Sequence, residues 1–153
     1  MALRYLLDLS RFPAAVQYRQ PTHAELEKMF DWVCDDYKAA KFERIHVCKD
    51  VSTESREIVF FLVHLLEDAS TDTILSLFEE RGLRPALYEE LLGVLAKYPD
   101  LAKQSPVAAL GSVWHGRRTP YAGSGADGNG RHLFCDWVPE GWFKSYSFLA
   151  VRK

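Results

Sequence analysis

The stretch YAGSGADGNGRHLF, residues 121–134, contains the spacing Gly-x-Gly-x-x-Gly, part of a calcium loop, and the turn dipeptides of a β-hairpin. Which of the three is taken decides the fold of the C-terminal third. Gly123, Gly125 and Gly128 match a dinucleotide fingerprint, but that motif needs a helix behind the loop, so that the helix N-terminus faces the pyrophosphate. A strand-like run, RHLFCDWV, follows instead, and no Lys-Ser or Lys-Thr completes a phosphate loop. As a calcium loop, Asp127, Asn129, Gly130 and Asp136 fall at the third, fifth, sixth and twelfth positions, yet the first ligand would be Gly125 and His132 replaces the expected aliphatic residue. The hairpin fits best. Asp-Gly and Asn-Gly adopt positive φ at little cost, and apolar runs flank them on both sides. The spacing predicts a long, glycine-rich hairpin connection over 123–130.

Working outward, VAALGSVW (107–114), RHLFCDWV (131–138) and SFLAVRK (147–153) are short apolar or aromatic runs separated by Gly, Pro and Asn, the pattern of an antiparallel sheet. Charge changes where this pattern begins. Up to Ser105 there are 13 Lys and Arg against 18 Asp and Glu, a net of −5; from Pro106 onward there are 6 against 3, a net of +3.

The first 105 residues read as mainly helical. Thr22 and Glu25 have capping-box spacing, and Leu26, Phe30, Val33, Tyr37 and Ala40 continue an apolar stripe that predicts a helix of about five turns. RIHVCK (44–49) alternates as a short strand. EIVFFLVHLL (57–66) has no period; it fits a strand buried on both faces or a core helix, and its β-branched and aromatic content slightly favours strand. Ser70–Arg81 predicts a helix stopped by Gly82, and Pro85 opens a second one ended by Pro99, the two forming an αα-hairpin. With no linker in sight, residues 1–153 are expected to form one α+β domain. Its N-terminal and central helices would pack on a mostly antiparallel sheet built largely by the C-terminal third.

Composition is that of an ordinary globular chain, with 48% hydrophobic and 26% charged residues and a formal charge of −2, which is neither a nucleic-acid nor an acidic-tail signature. Cys34, Cys48 and Cys135 are odd in number and widely spaced, as in a reducing compartment. Asp8 interrupts the apolar run at the N-terminus, and IVFFLV (58–63) is far too short for a membrane span. A cytoplasmic, soluble protein with no membrane partner is the expectation.

No complete catalytic motif is present. His46 and Cys48 would share a strand face, but His132 and Cys135 would not, so a zinc site is not expected. Ser112 lacks the second glycine of a nucleophile elbow, and Asp31, Asp35 and Asp36 read as a solvated helix face. A helix-turn-helix around RGLRPA (81–86) would turn Glu89 and Glu90 toward phosphates. No catalytic residue, metal or cofactor is therefore assigned. The candidate ligand-binding surface is the C-terminal sheet, where Trp114, Arg117, Arg118, Tyr121, Arg131, Trp137 and Trp142 mix aromatic faces with cations.

GLRPALYEELL (82–92), PVAALGSVW (106–114) and FLAVRK (148–153) resemble a family of short uncharacterised bacterial proteins sharing an "EELL … ALGS … LA.RK" pattern. That resemblance implies a self-contained bacterial domain and no site residue. RPALYEE (84–90), the Trp-containing strands and the terminal AVRK also resemble C-type-lectin-like binding domains, from which the chain departs in having no paired cysteines. The function expected is a non-enzymatic binding or interaction module for a protein or a small polar ligand, of unspecified oligomeric state. The alternatives are single-stranded nucleic-acid binding and a small hydrolase or transferase using His115 or His132.

Overall fold

The computed structural model describes residues 3–19, 21–34, 43–46, 55–115, 121–127, 130–136 and 141–153, the side chains of 9, 43–46, 114–115, 121–124, 126–127 and 135–136 excepted. The strands are β1 (Tyr5–Val16), β2 (Trp32–Val33), β3 (Glu43–His46), β4 (Arg56–Leu65), β5 (Leu83–Pro85), β6 (Val107–His115), β7 (Tyr121–Asp127), β8 (Gly130–Asp136) and β9 (Ser147–Arg152). The helices are α1 (His23–Met29), α2 (Thr71–Glu80) and α3 (Tyr88–Lys97). One mixed, mostly antiparallel sheet runs β1-β4-β9-β6-β7-β8-β2, with β3 added to β6 and β5 to β9. The fold class is α+β.

The aperiodic stretch 57–66 is strand β4, and its lack of period has a plain cause: both of its faces are buried. Ile58, Phe60 and Leu62 join the core under α1 and α3. Phe61, Val63 and Leu65 join a second core under α2. Neighbouring β9 divides in the same way, Leu149 and Val151 against Phe148 and Ala150, and so does β6, Val107 and Ala109 against Ala108 and Leu110. Strands covered on both sides by helices read as continuous apolar runs because neither face needs to be polar.

Helices α2 and α3 do not form the expected αα-hairpin. Gly82, at φ +67°, ends α2, and the chain then adds β5 to the edge of β9, pairing Leu83 with Arg152 and Pro85 with Ala150. Pro85 thus closes a strand rather than opening a helix. The chain next crosses from one face of the sheet to the other between β5 and β6. Gly111 makes that crossing feasible: its N–H donates to Ala86 O at 2.8 Å, and a Cβ there would lie 2.5 Å from the same oxygen. With α2 and α3 on opposite faces, the helix-turn-helix reading is also removed.

The first helix is shorter than its apolar stripe predicts. The capping box holds as expected, with Glu25 N–H donating to Thr22 Oγ1 at 3.2 Å and Thr22 N–H donating to Glu25 Oε1 at 3.1 Å. At Phe30 the backbone is already extended (φ −128°, ψ 144°). Asp31 N–H donates to Arg131 O and Cys34 N–H to Leu133 O, so the edge of β8 captures the segment and outweighs local helix propensity. Asp31 is therefore not part of a helical acidic face, and Asp35 and Asp36 lie outside the described residues. Among the described residues, the part of the chain before Pro106 also supplies β1 and β4, strands of 12 and 10 residues.

The quoted glycine stretch is a hairpin, but a tight one. β7 and β8 pair from Tyr121↔Asp136 to Asp127↔Gly130, which places Gly123 and Gly125 in strand and leaves only residues 128–129 to connect them. Gly130, at φ +113°, is required twice over, because a Cβ there would also lie 2.2 Å from Asp31 Oδ2.

Candidate functional site

Of the seven residues expected to form a ligand surface, the structure describes the side chains of two, Arg131 and Trp142, and gives both of them structural contacts. Trp142 is 1% exposed; its indole N–H donates to Thr71 Oγ1 at 2.9 Å and its ring meets Phe148 edge-on at 5.3 Å, so it belongs to the core under α2. Arg131 is half-buried and ties β8 to the helical layer: Nη2 donates to Leu95 O at 3.2 Å, at the C-terminal end of α3, and the guanidinium lies 5.3 Å from the centroid of the Phe30 ring. For Trp114 and Tyr121 only the backbone is described: Val113 pairs with Tyr121, which pairs with Asp136. Arg117, Arg118 and Trp137 lie outside the described residues.

A concave site lies at the other end of the same ribbon. Gly125 is four residues from Tyr121, about 13 Å along the strand. Here the chain leaving α3 turns back on itself, with Lys103 N–H donating to Asp100 O, and enters β6 beside the end of β7. A cleft of about 240 Å³ results, lined by Ala102, Lys103, Gln104, Ser105, Pro106, Gly125, His132 and Phe134. His132 and Phe134 alternate on β8 with Leu133, which is fully buried on the opposite face. The Phe134 ring is held by an edge-on contact with Tyr146, which in turn packs on Trp142. Trp32, half exposed, lies beside His132 with ring centroids 6.0 Å apart. A Cβ at Gly125 would make ordinary van der Waals contact with the Phe134 ring, at 3.5 Å.

Behind the wall runs a hydrogen-bonded chain: Ser105 Oγ and Ser147 Oγ are 2.8 Å apart, and Ser147 Oγ is 2.6 Å from His64 Nδ1. A serine this close to an imidazole has the spacing of a nucleophile and its base. Ser147, however, is 1% exposed, and burial keeps its hydroxyl from a substrate carbonyl. The chain fixes Ser105, the member that reaches the cleft.

Three other polar positions are structural. Ser112 is fully buried and accepts the Tyr88 N–H at 3.0 Å, capping α3. Glu90, also fully buried, accepts both Arg84 Nη1 and Nη2, the Tyr18 hydroxyl and the Leu87 N–H, each at 2.8 Å. Burial, and then the Glu90 charge and hydrogen bond, raise the Tyr18 hydroxyl far above its usual pKa. Among the described residues no three His, Cys, Asp or Glu side chains gather as a metal site, and no helix is long and apolar enough to cross a membrane. The side chains of His46, His115 and Cys135, and the whole of Cys48, are outside the description.

The cleft has no signature in the sequence. Lys103, Gln104 and Ser105 sit in an unremarkable loop, and only the sheet register brings His132 and Phe134 beside them. Scans of the chain against protein-family models, curated proteins and solved structures find no match. The fold and site define a class no narrower than a small α+β domain, with a sheet covered on both faces and a cleft at the end of its β6-β7-β8 ribbon.

Proposed function

We propose that this protein is a non-enzymatic binding module for a small polar molecule, held in the cleft between residues 102–106 and the β7–β8 hairpin. The observation that carries this reading is the make-up of the wall. The cleft of about 240 Å³ is lined by Gln104, Ser105 and His132 together with Phe134, and by Lys103, whose ammonium pairs with Asp100 at 3.0 Å. A planar apolar surface bordered by a few donors and acceptors suits a ligand with one flat face and polar edges. The cleft belongs to the C-terminal sheet, at the opposite end of the β7 strand from Tyr121.

The catalytic alternative needs His115 or His132 beside a carboxylate or a cysteine, and the residues lining the cleft around His132 include neither. The nucleic-acid alternative loses two of its groups, Trp142 to the core and Arg131 to its contacts with Phe30 and Leu95.

The test is NMR chemical-shift mapping with a panel of sugars, amino acids, small carboxylates and nucleoside monophosphates. Saturable shifts are expected at Ser105, Gly125, His132 and Phe134, and are expected to disappear in Phe134→Ala. Shifts confined to the Trp114–Tyr121 end, or none from any panel member, would overturn the assignment. Hydrolysis of an ester panel lost on His132→Ala would replace it with the catalytic reading.

A further inference from the structure

We infer that the exposed edge of β1 is a self-association surface, at which a second copy of this chain pairs antiparallel about a two-fold axis at Leu6. β1 ends the sheet, and among the described residues its only strand partner is β4. An unpaired edge presents its backbone groups to another chain. Which groups face outward follows from the pairing. Leu66 N–H donates to Arg4 O, so the even residues of this segment turn their backbone groups toward β4, and Tyr5 and Leu7 turn theirs away.

A register in which the paired residue numbers sum to twelve matches these outward groups. Tyr5 faces Leu7 of the second copy and Leu7 faces its Tyr5, each pair exchanging two backbone hydrogen bonds, four in all. Leu6 then meets its own symmetry mate across the axis in the non-hydrogen-bonded position, where side chains lie closest. Leu6 is 57% exposed, one of the few large apolar side chains left in solvent among the described residues.

The charges fit the same register. Arg4 falls opposite Asp8 of the second copy, and Asp8 opposite its Arg4. Both project from the same side of the strand as Leu6, since all three are even-numbered. The Arg4 side chain is 71% exposed and its present ion pair with Glu67 is long, at 3.5 Å, which leaves the guanidinium able to turn. Asp8 accepts the Ser10 N–H through one oxygen, Oδ1, at 2.8 Å. A two-fold axis therefore creates two complementary charge pairs flanking an apolar contact, the self-complementary pattern an isologous interface requires. The pairing stops where β1 becomes irregular: its register with β4 shifts between Asp8 and Phe12, and Pro13 has no N–H to give.

The experiment is sedimentation equilibrium of the full chain over a wide concentration range, repeated for Leu6→Lys, Arg4→Asp, Asp8→Arg and the double swap Arg4→Asp with Asp8→Arg. A reversible monomer–dimer equilibrium is expected. Each single change should raise its dissociation constant about tenfold or more, because like charges then face one another across the strands, and the double swap should recover to within about threefold of the original. Added salt should weaken the dimer, the charge pairs being exposed. Hydrogen exchange on the unmodified chain gives a second readout that does not depend on any variant folding: the Tyr5 and Leu7 amides should become protected as concentration rises. A monomer at every concentration, a dimer indifferent to Leu6→Lys, single swaps that the double swap does not rescue, or Tyr5 and Leu7 amides with no concentration dependence would each overturn the inference.

Discussion

Replacing Glu90 by Gln tests the account of the α3 N-terminus most directly. The change keeps the shape of the side chain and leaves an amide oxygen to accept the Leu87 N–H, but it removes the negative charge and turns the oxygen that accepts Arg84 Nη2 and the Tyr18 hydroxyl into an NH2 donor. That charge faces both Nη atoms of Arg84 at 2.8 Å, and Arg84 is only 8% exposed. Breaking a buried ion pair from one side leaves a charge without its counter-ion, at a cost of about 3–5 kcal/mol, whereas removing both partners is often close to neutral. Glu90→Gln should therefore destabilise by about 4 kcal/mol. Arg84→Met combined with Glu90→Gln should recover most of that loss. In urea, with a slope of about 2 kcal/mol/M for a domain of this size, the single variant should unfold about 2 M earlier than the parent and the double variant within about 1 M of it. The assay is equilibrium urea unfolding followed by tryptophan fluorescence. A single variant that loses less than about 1 kcal/mol, or a double variant less stable than the single, would refute the argument that the pair is buried, mutually dependent and positioned as described.

Three further outcomes are expected. Gly130→Ala combines positive φ with a Cβ driven into the Asp31 carboxylate, and should lower stability by about 1–3 kcal/mol in a thermal melt, with the largest amide shift changes at Asp31 and Arg131. Because the folded state raises the Tyr18 pKa above its unfolded value of about 10, first through burial and then through Glu90, the unfolded chain loses that proton first. Stability is fully present below pH 10 and falls as pH rises beyond it; Tyr18→Phe should flatten this alkaline limb in pH-dependent melting. Glu25 has the opposite sign: hydrogen bonds from Arg19, then from the Thr22 N–H, hold its carboxyl at about 2. Its contribution is present above about pH 4.5 and lost as pH falls toward 2, so NMR titration should show the Thr22 and Glu25 amides shifting with a midpoint near 2, and Glu25→Gln should abolish that titration.

Local signals carried much of this fold. The Thr22–Glu25 capping box, the α2 stop at Gly82 and the β7–β8 hairpin that replaces a nucleotide loop at 123–130 rest on near neighbours, which a sequence window contains whole. The strands at 107–115 and 147–152 show in their own apolar and β-branched composition although their partners are distant. Where a segment's partner is distant, the window fails. EIVFFLVHLL could not be settled as strand or helix because its aperiodicity reports helices on both faces, α2 from residues 71–80 and α3 from 88–97. The stripe from Leu26 to Ala40 promised a helix that the edge of β8, a hundred residues away, converts to extended chain at Phe30.

The candidate site was less legible than the fold. Trp142 and Arg131 have the residue types of a binding surface, and only tertiary contacts decide that one is core and the other a tie between layers. Lys103, Gln104 and Ser105 carry no motif and acquire a role only because the sheet register sets them beside His132 and Phe134. The sequence by itself determined the local elements and the α+β class, since hydrogen bonds and caps between near neighbours are encoded in near neighbours. The tertiary structure alone decided which faces are buried, where the chain crosses the sheet and which side chains meet at a cleft, because each depends on the packing of segments far apart in the chain.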